Sequence, residues 1–370
     1  MGFKSMLQQE WRDALKDSRR FIFLFGAALA YLIVFGMLYL PNIVREIPTV
    51  IYDADQSALS RKIVRNIEDS DSFLVAGYSQ NEEDMHKSLR NKEAFVAIEI
   101  PVDFSRDLAQ SGSANILYMA NGSNIIMTNV TSSALQNILE ESSNALGAER
   151  AAMVTGIDEN IIKKRIATVE SRFRILGNPT QGYLYFFLIG LAMAAFQQGI
   201  LFAMGASLFQ EKILTFKKIV AKTMFYHFFA MLSFLLIIAL IYYGLGIELK
   251  GDFLLLLTLG IAYTFSVLGL CCLFSVFFAE EMQLVRFLIM YPVPAFILSG
   301  YTWPQESMGE GMAFLAKFFP LSYLSNNVRD IFLMGNAFHL INDIVMLIIL
   351  GAACFVLRLI VGKCSSKLLN

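Results

Sequence analysis

The side chains that could carry chemistry are few and widely separated. Asp53 and Asp55 form an Asp-x-Asp pair of the kind that binds a metal or performs acid–base catalysis. At the end of a strand, however, this pair is more typical of a turn, because aspartate side chains bond to nearby backbone N–H groups. The three histidines, His86, His227 and His339, are far apart in sequence and fit satisfied interface residues better than ligands. The sequence therefore favours a turn and predicts no metal site.

Sequence motifs of several common catalytic classes are absent from the 370 residues. There is no G-x-x-x-x-G-K-[ST] phosphate-binding loop, so the chain cannot hydrolyse ATP by that route. There is also no G-x-S-x-G elbow and no H-E-x-x-H pair. The four cysteines lie in or beside apolar segments and imply no disulfide framework. This pattern indicates a transport or binding protein, not an enzyme, with no cofactor bound by the chain itself.

The composition indicates a membrane protein. Hydrophobic residues make up 56% of the chain and charged residues only 16%, whereas soluble chains are about 25% charged. The net charge of −1 gives no sign of nucleic-acid binding. Charge is missing from blocks long enough to cross a bilayer. Six spans are predicted, at 21–40, 183–209, 223–247, 253–279, 287–303 and about 338–361.

The distribution of lysine and arginine predicts the orientation of these spans. Positive residues precede the first span, lie between the second and third, and follow the sixth. Since such residues mark the cytoplasmic side, both termini are predicted in the cytoplasm and 41–180 outside. The apolar block 312–328 is short and carries Lys317 and Pro320, so a re-entrant segment at 301–328 is predicted there instead of a seventh span.

Two segments outside the spans have patterns of their own. In the first 20 residues, apolar side chains recur at i, i+3 and i+4, which predicts a cytoplasmic amphipathic helix on the inner leaflet. The alternative is a helix packed on another protein surface. Between 41 and 180, strand-like and helix-like patterns alternate from a strand at 49–52 to one at 166–175. This alternation predicts an extracytoplasmic α/β domain.

Several stretches resemble one protein family. From Pro294 the sequence reads PAFILSGYTWPQESM, and Phe319-Pro-Leu-Ser-Tyr leads on to Arg329. This pattern is similar to that of the ABC-2-type transporter permeases. Theirs is an apolar helix, Ser-Gly and a following Pro, then Pro-Leu-[ST]-Tyr and a later Arg. The resemblance is to the subfamily with a large extracytoplasmic domain between its first two spans. It covers nearly the whole chain, including the segments 53–61 and 178–179.

The resemblance implies the membrane-spanning subunit of an ATP-driven exporter in the bacterial cytoplasmic (inner) membrane. Its implied partners are a separate ABC ATPase subunit, a second copy or a paralogous permease, membrane lipid and in some cases a periplasmic adaptor protein. The implied substrate is amphipathic or drug-like. In the loop after the second span, the Glu and Thr of the family pattern E-[RK]-E-x-G-T-x-x-x-[IL] align, but its second acid and its Gly do not. The residues expected to meet the ATPase there are Glu211, Lys212, Thr215, Lys217 and Lys218.

Two further sets of residues are candidates for the transport path. Gln197 and Gln198 lie inside the uncharged second span, where polar groups are costly without a partner or cavity. We expect them to line the path or a dimer seam, with helix–helix hydrogen bonding as an equal alternative. A helix break beside a short apolar hairpin is expected to form an outer gate, the alternative being a plain outer loop. The gate residues are Phe296, Ser299, Gly300, Trp303, Pro304, Pro320, Tyr323 and Arg329.

Two other functions compete with export. A membrane receptor or scaffold, whose outer domain binds a ligand or partner, is expected to carry a cytoplasmic output domain, but the predicted inside segments are short. A proton-coupled secondary transporter favours buried carboxylates and an internal repeat. Asp343 is the one acidic residue inside a predicted span, and no repeat is visible. The sequence therefore favours the exporter.

Overall fold

A computed structural model describes residues 2–40, 44–156, 158, 178, 182, 184–209 and 215–368, with side chains to 362 except that of residue 111. The chain divides into two compact units. We call them the helical unit (Met1–Leu40, Leu176–Asn178 and Tyr183–Asn370) and the sheet unit (Pro41–Ile175 and Pro179–Gly182). The predicted strand at 166–175 lies outside the described residues.

The helical unit begins with two helices. Helix α1 (Phe3–Lys16) is amphipathic and buries Glu10 and Ala14. Helix α2 (Arg19–Leu38) is the first span and contains a π-helical turn at Ile22–Gly26. Within that turn the Leu24 carbonyl oxygen accepts a hydrogen bond of 2.8 Å from the Ser233 hydroxyl of a later helix. A side chain therefore satisfies backbone that the widened turn exposes.

The sheet unit alternates strands and helices as the sequence predicts. Strand β1 pairs in parallel with β2 on one side and with β3 on the other. Strand β4 pairs antiparallel with β3, which gives the order β2-β1-β3-β4. The elements are β1 (Ile47–Asp53), α3 (Ala58–Glu68), β2 (Phe73–Tyr78), α4 (Glu82–Arg90), β3 (Val96–Ile100), α5 (Phe104–Ser111), β4 (Leu117–Ala120) and α6 (Ile125–Thr155).

Side-chain caps explain where these helices start. The Ser57 hydroxyl accepts a hydrogen bond from the Ser60 backbone N–H, which begins α3. Asp53 accepts from the Gln56 N–H at 3.0 Å and from the Ser60 hydroxyl at 2.7 Å. Asp55 accepts from the N–H and hydroxyl of Ser105. The two aspartates therefore hold the turn after β1 and the start of α5, which is the turn chemistry that the sequence favours.

The rest of the helical unit consists of seven helices in the described residues. The positions of its spans follow the apolar composition of the sequence. Glycines allow the closest contacts between these helices. A Cβ at Gly269 would lie 2.8 Å from the Gly351 carbonyl oxygen, and one at Gly199 would lie 2.5 Å from the Phe23 carbonyl oxygen. The helices are α7 (Leu184–Leu208), α8 (Phe216–Gly244), α9 (Phe253–Phe274), α10 (Glu281–Leu298), α11 (Glu310–Ala316), α12 (Leu321–Leu333) and α13 (Leu340–Leu368).

Six of the described helices, α2, α7, α8, α9, α10 and α13, are long and apolar enough to cross a membrane. The predicted fold class, a polytopic helical membrane protein with a small α/β domain, is confirmed. The predicted membrane depth of 301–328, where α11 and the first part of α12 lie, stays a prediction.

Several predicted helix ends are wrong. The third span begins at Phe216 instead of 223, so Lys217, Lys218 and Lys222 belong to its first turns. Their long apolar stems can pack along a helix while the charge reaches a polar neighbour. The fourth span ends at Phe274 instead of 279. The fifth begins at Glu281 instead of 287 and ends at Leu298 instead of 303. An acidic residue favours the first turn of a helix.

Candidate functional site

A buried group of polar side chains ties α1 to the ends of α7 and α8. We call it the charge cluster, and it consists of Glu10, Arg20, Ser207, Lys222 and Tyr226. The Glu10 carboxylate accepts hydrogen bonds from the Arg20 guanidinium at 3.1 Å, the Ser207 hydroxyl at 2.5 Å and the Lys222 ammonium at 2.5 Å. Arg20 also donates to the Tyr226 hydroxyl at 3.0 Å. One carboxylate thus joins α1, α2, α7 and α8.

The charges of this cluster are almost completely removed from solvent. Glu10, Arg20 and Lys222 are 3%, 1% and 2% exposed. Buried charges are tolerated only when they are paired and hydrogen-bonded. Two cations meet one carboxylate here, and Asp17 lies 3.4 Å from the Arg20 Nε atom as a second acid. Glu10 and Asp17 thus supply the negative charges near Arg20 and Lys222, and Asp17 also pairs with the exposed Arg19.

Aromatic packing holds α1 in the position that this pairing requires. The Trp11 ring stacks on Phe229 at 5.6 Å and meets the edges of Phe21 and Phe225 at 6.2 Å, measured between ring centroids. Such pairs contribute about 0.5–1.5 kcal/mol each beyond their burial. Helix α1 therefore packs on the helical unit, through both its aromatic and its polar residues. The predicted contact of α1 with the inner leaflet stays a prediction.

The charge cluster adjoins the loop predicted to meet the ATPase. Ser207 lies next to the last residue of α7, and Lys222 lies in the second turn of α8. Glu211 and Lys212 fall outside the described residues. The structure does place the other three members of the predicted set: Thr215 is the N-cap residue of α8, Lys217 is exposed in its first turn, and Lys218 is half-buried beside it.

A left-handed turn ends α10 at the predicted helix break. Gly300 has φ +82°, and a Cβ there would lie 2.8 Å from Gln305 Cγ and 3.0 Å from Asn326 Nδ2. The Ser299 carbonyl oxygen accepts from the Asn326 amide at 3.1 Å and the Gln305 amide at 3.3 Å. Only glycine meets both requirements without strain. The turn is thereby joined to α12, from which Asn326 projects.

The centre of this region is Tyr301, which the sequence analysis missed. Tyr301 is 2% exposed, and the Arg329 guanidinium carbon lies 4.8 Å from the centroid of its ring. Phe296 packs on the same ring at 5.7 Å. A Cβ at Gly190 of α7 would lie 2.5 Å from the tyrosine ring, so only glycine leaves room for it. We call Gly190, Phe296, Gly300, Tyr301 and Arg329 the tyrosine clamp.

The other predicted gate residues lie apart from this clamp. Trp303 is 57% exposed, and its indole N–H donates to the Ser307 carbonyl oxygen at 3.2 Å. Pro304 precedes the short 3-10 helix at Gln305–Ser307, and Pro320 is the N-cap residue of α12. The Tyr323 hydroxyl donates to the Lys317 carbonyl oxygen at 2.9 Å. Trp303 and Tyr323 therefore bond to the backbone of the hairpin itself, and the two prolines precede its short helices.

Comparison with known proteins supplies the family. The sequence model for ABC-2 family transporter proteins matches residues 19–360, which include all six spans except the end of the last. The chain belongs to this family. ABC transporter G family member 20 of Dictyostelium discoideum is 20% identical over 302 residues, covering 78% of this chain and 40% of that protein. The probable multidrug ABC transporter permease YbhR of Escherichia coli K12 is 20% identical over 295 residues, covering 76% of this chain and 77% of YbhR.

In this ABC-2 family protein the two glutamines of the second span make contacts within the chain. Gln197 is fully buried, and its side-chain Oε1 atom accepts a hydrogen bond of 2.9 Å from the Tyr263 hydroxyl of α9. The Gln198 amide donates to the Leu288 carbonyl oxygen of α10 at 2.8 Å. Gln197 thus makes a helix–helix hydrogen bond of the kind that the sequence offered as an alternative, and its path or dimer-seam role stays a prediction. Gln198 is only partly buried, and a path-lining role for it stays a prediction.

Proposed function

We propose that the chain is the permease subunit of an ATP-driven exporter and works with a separate ABC ATPase subunit. Family membership supports the permease role and implies the ATPase partner. The missing phosphate-binding loop supports the division of labour, with ATP held by the partner and no cofactor held by this chain. A second copy or a paralogous permease would complete the path, and a periplasmic adaptor would extend it in some assemblies.

The proposed orientation places the charge cluster at the cytoplasmic end of the helical unit. Lysine and arginine residues crowd the segments before the first span and around the 210–222 region. Because positive residues near spans favour the cytoplasm, both termini would lie there and 41–180 outside. The membrane is proposed to be the bacterial inner membrane.

The charge cluster is the observation that carries the coupling mechanism. Its carboxylate contacts groups on both helices that flank 210–214, namely Ser207 on α7 and Lys222 on α8. A displacement of that loop by the ATPase would therefore move α7, α8 and α1 together. A displacement that separated these groups would leave an unpaired buried charge, so the paired groups would move together.

We propose that a movement of α7 is passed on at its other end to the tyrosine clamp. Helix α7 carries Ser207 at one end and Gly190 near the other, seventeen residues or about 25 Å apart along the helix. Gly190 holds Tyr301, which in turn packs under Arg329. A shift of α7 would thus reach the hairpin after α10 directly. This supports an outer gate at the hairpin, in preference to a plain loop.

The export function is tested in everted membrane vesicles. Vesicles are prepared from cells that express the chain with the ABC ATPase subunit of the same source, with each subunit alone, or with neither. ATP-dependent accumulation of the amphipathic dye ethidium is followed by fluorescence. Accumulation is expected only with both subunits. ATP hydrolysis by the purified chain alone would overturn the division of labour.

Coupling is tested with Lys217→Glu and Lys217→Met. Lys217 is exposed in the first turn of α8, so its replacement should leave the fold intact. Reversing a charge at an interface rim weakens docking and raises its salt dependence, whereas neutralising it does so less. We expect ethidium accumulation to be highest for wild type, lower for Lys217→Met and lowest for Lys217→Glu. Equal transport by all three proteins, at low and high salt, would show that the ATPase contact lies elsewhere.

A further inference from the structure

A long apolar groove lies between α8, α9 and α13. Its volume is about 970 Å³. The α8 residues that line it run from Phe216 to Leu235, about 28 Å along the helix. Exposed apolar side chains form its rim, among them Phe228, Ile261 and Ile348. A space of this size and polarity, on a helix bundle in a bilayer, is filled by hydrocarbon.

One feature sets this groove apart from ordinary lipid-facing surface. The Arg358 guanidinium lines it, and none of the lining residues is acidic. The Arg358 Nε atom is enclosed and has no hydrogen-bond partner among the described residues. Asp343, the acidic residue of α13, is fifteen residues away, about 22 Å along the helix. A cation so placed is costly unless an anion reaches it from outside the chain.

The position of Arg358 fits a lipid headgroup. It lies three residues before 361, the predicted end of the sixth span, and long cationic side chains near the ends of spans reach the interface. A Cβ at Gly362 would lie 2.6 Å from the Arg358 Nη1 atom, so the side chain extends over this glycine towards the end of the span. From the end of a span a guanidinium can reach the depth of lipid phosphates, while the groove runs along α8 beside other apolar side chains.

We propose that this groove is a binding site for an anionic phospholipid, whose phosphate pairs with Arg358 and one of whose acyl chains lies along α8. Arginine binds phosphate through paired N–H donors, and the Arg358 Nε–H is a donor without a partner among the described residues. Basic pockets between membrane helices bind anionic headgroups in this way. A zwitterionic lipid presents a phosphate too, but its ammonium group is repelled by the same arginine, so the site discriminates.

The experiment uses the full chain reconstituted in vesicles of phosphatidylethanolamine and phosphatidylglycerol. The chain is extracted into mild detergent, and the lipids that it retains are counted by native mass spectrometry. Wild type is expected to retain phosphatidylglycerol over phosphatidylethanolamine. Arg358→Gln should lower that ratio about fivefold, because it removes the positive charge that repels the ammonium group, and one basic residue beside anionic lipid is worth about 1 kcal/mol. Arg12→Gln removes an exposed positive charge from α1 and should change nothing.

Two more variants separate the headgroup from the groove. Gly362→Ala keeps the charge of Arg358 but displaces its guanidinium, so it should lower the lipid ratio in the same direction as Arg358→Gln. Thr258→Trp fills the apolar part from an exposed position and should lower the retention of both lipids equally. Thermal melting identifies any variant that fails to fold. Equal lipid ratios in wild type, Arg358→Gln and Gly362→Ala would overturn the proposal, as would a wild type without preference.

Discussion

Removing the central carboxylate of the charge cluster is the most revealing perturbation of the helical unit. Glu10→Ala leaves Arg20 and Lys222 buried side by side with no carboxylate between them, although each is nearly inaccessible to solvent. Lys222→Met is milder, because Glu10 keeps its 3.1 Å contact with Arg20 and an apolar chain of similar length fills the lysine's space. The structure therefore predicts unequal effects from two changes that break the same ion pair.

Breaking a buried ion pair costs about 3–5 kcal/mol in the free energy of unfolding. We expect Glu10→Ala near the upper limit, about 5 kcal/mol, and Lys222→Met near the lower one, about 3 kcal/mol. The double variant should lose less than the sum, since Lys222 is no longer present to be left unpaired. Contacting residues in one network show coupling energies of about 0.5–3 kcal/mol, and this fully buried pair is expected near the upper end.

The assay is unfolding of the purified full chain in detergent micelles, followed by circular dichroism. Asp13→Ala is the matched control, since it removes the same charge from the same helix at a position with no ion pair among the described residues. The control should change stability by less than about 1 kcal/mol. Equal effects for Glu10→Ala and Asp13→Ala, or a double variant equal to the sum of its parts, would refute the argument that the cluster is mutually dependent.

Three further outcomes follow from the structure. Gly300→Leu should abolish dye transport while helix content persists, because φ +82° and the neighbours of the built Cβ both exclude a side chain; Gly309→Leu, with open space, should transport normally. Burial raises the pKa of Asp55, but hydrogen bonds from serines outweigh this and lower it overall. Its contribution to stability is thus full above its unfolded pKa of about 3.9 and lost below the lowered native value, so Asp55→Asn and wild type should differ in melting temperature near neutral pH and converge in acid. Cysteines placed at Ser79 should react with an impermeant reagent from outside intact cells and those at Thr215 should not; the reverse pattern would invert the proposed orientation.

The spans could be predicted because the membrane imposes length and composition on every one of them. Their ends could not, because local charge is an ambiguous signal. Lys222 looks like a loop residue by its charge, yet it is buried in α8 since Glu10 neutralises it. That partner is 212 residues away in sequence. The local clue is that Glu10 shares a face of α1 with Met6 and Ala14. An acidic residue on the apolar face of a helix is stable only when a cation pairs with it.

The helix break shows a second limit on sequence reasoning. Two aromatic residues, Tyr301 and Trp303, follow Gly300. Residue type alone favours Trp303, the larger and more apolar side chain, as the group that closes the path. The left-handed turn at Gly300 decides otherwise, because the chain leaving it carries Tyr301 into contact with α7 and leaves Trp303 exposed. The matching signal on α7 is Gly190, which is indistinguishable in sequence from any other glycine in a span. The proposed gate therefore depends on the close approach of Gly190 on α7 to Tyr301, which any side chain at position 190 would disrupt.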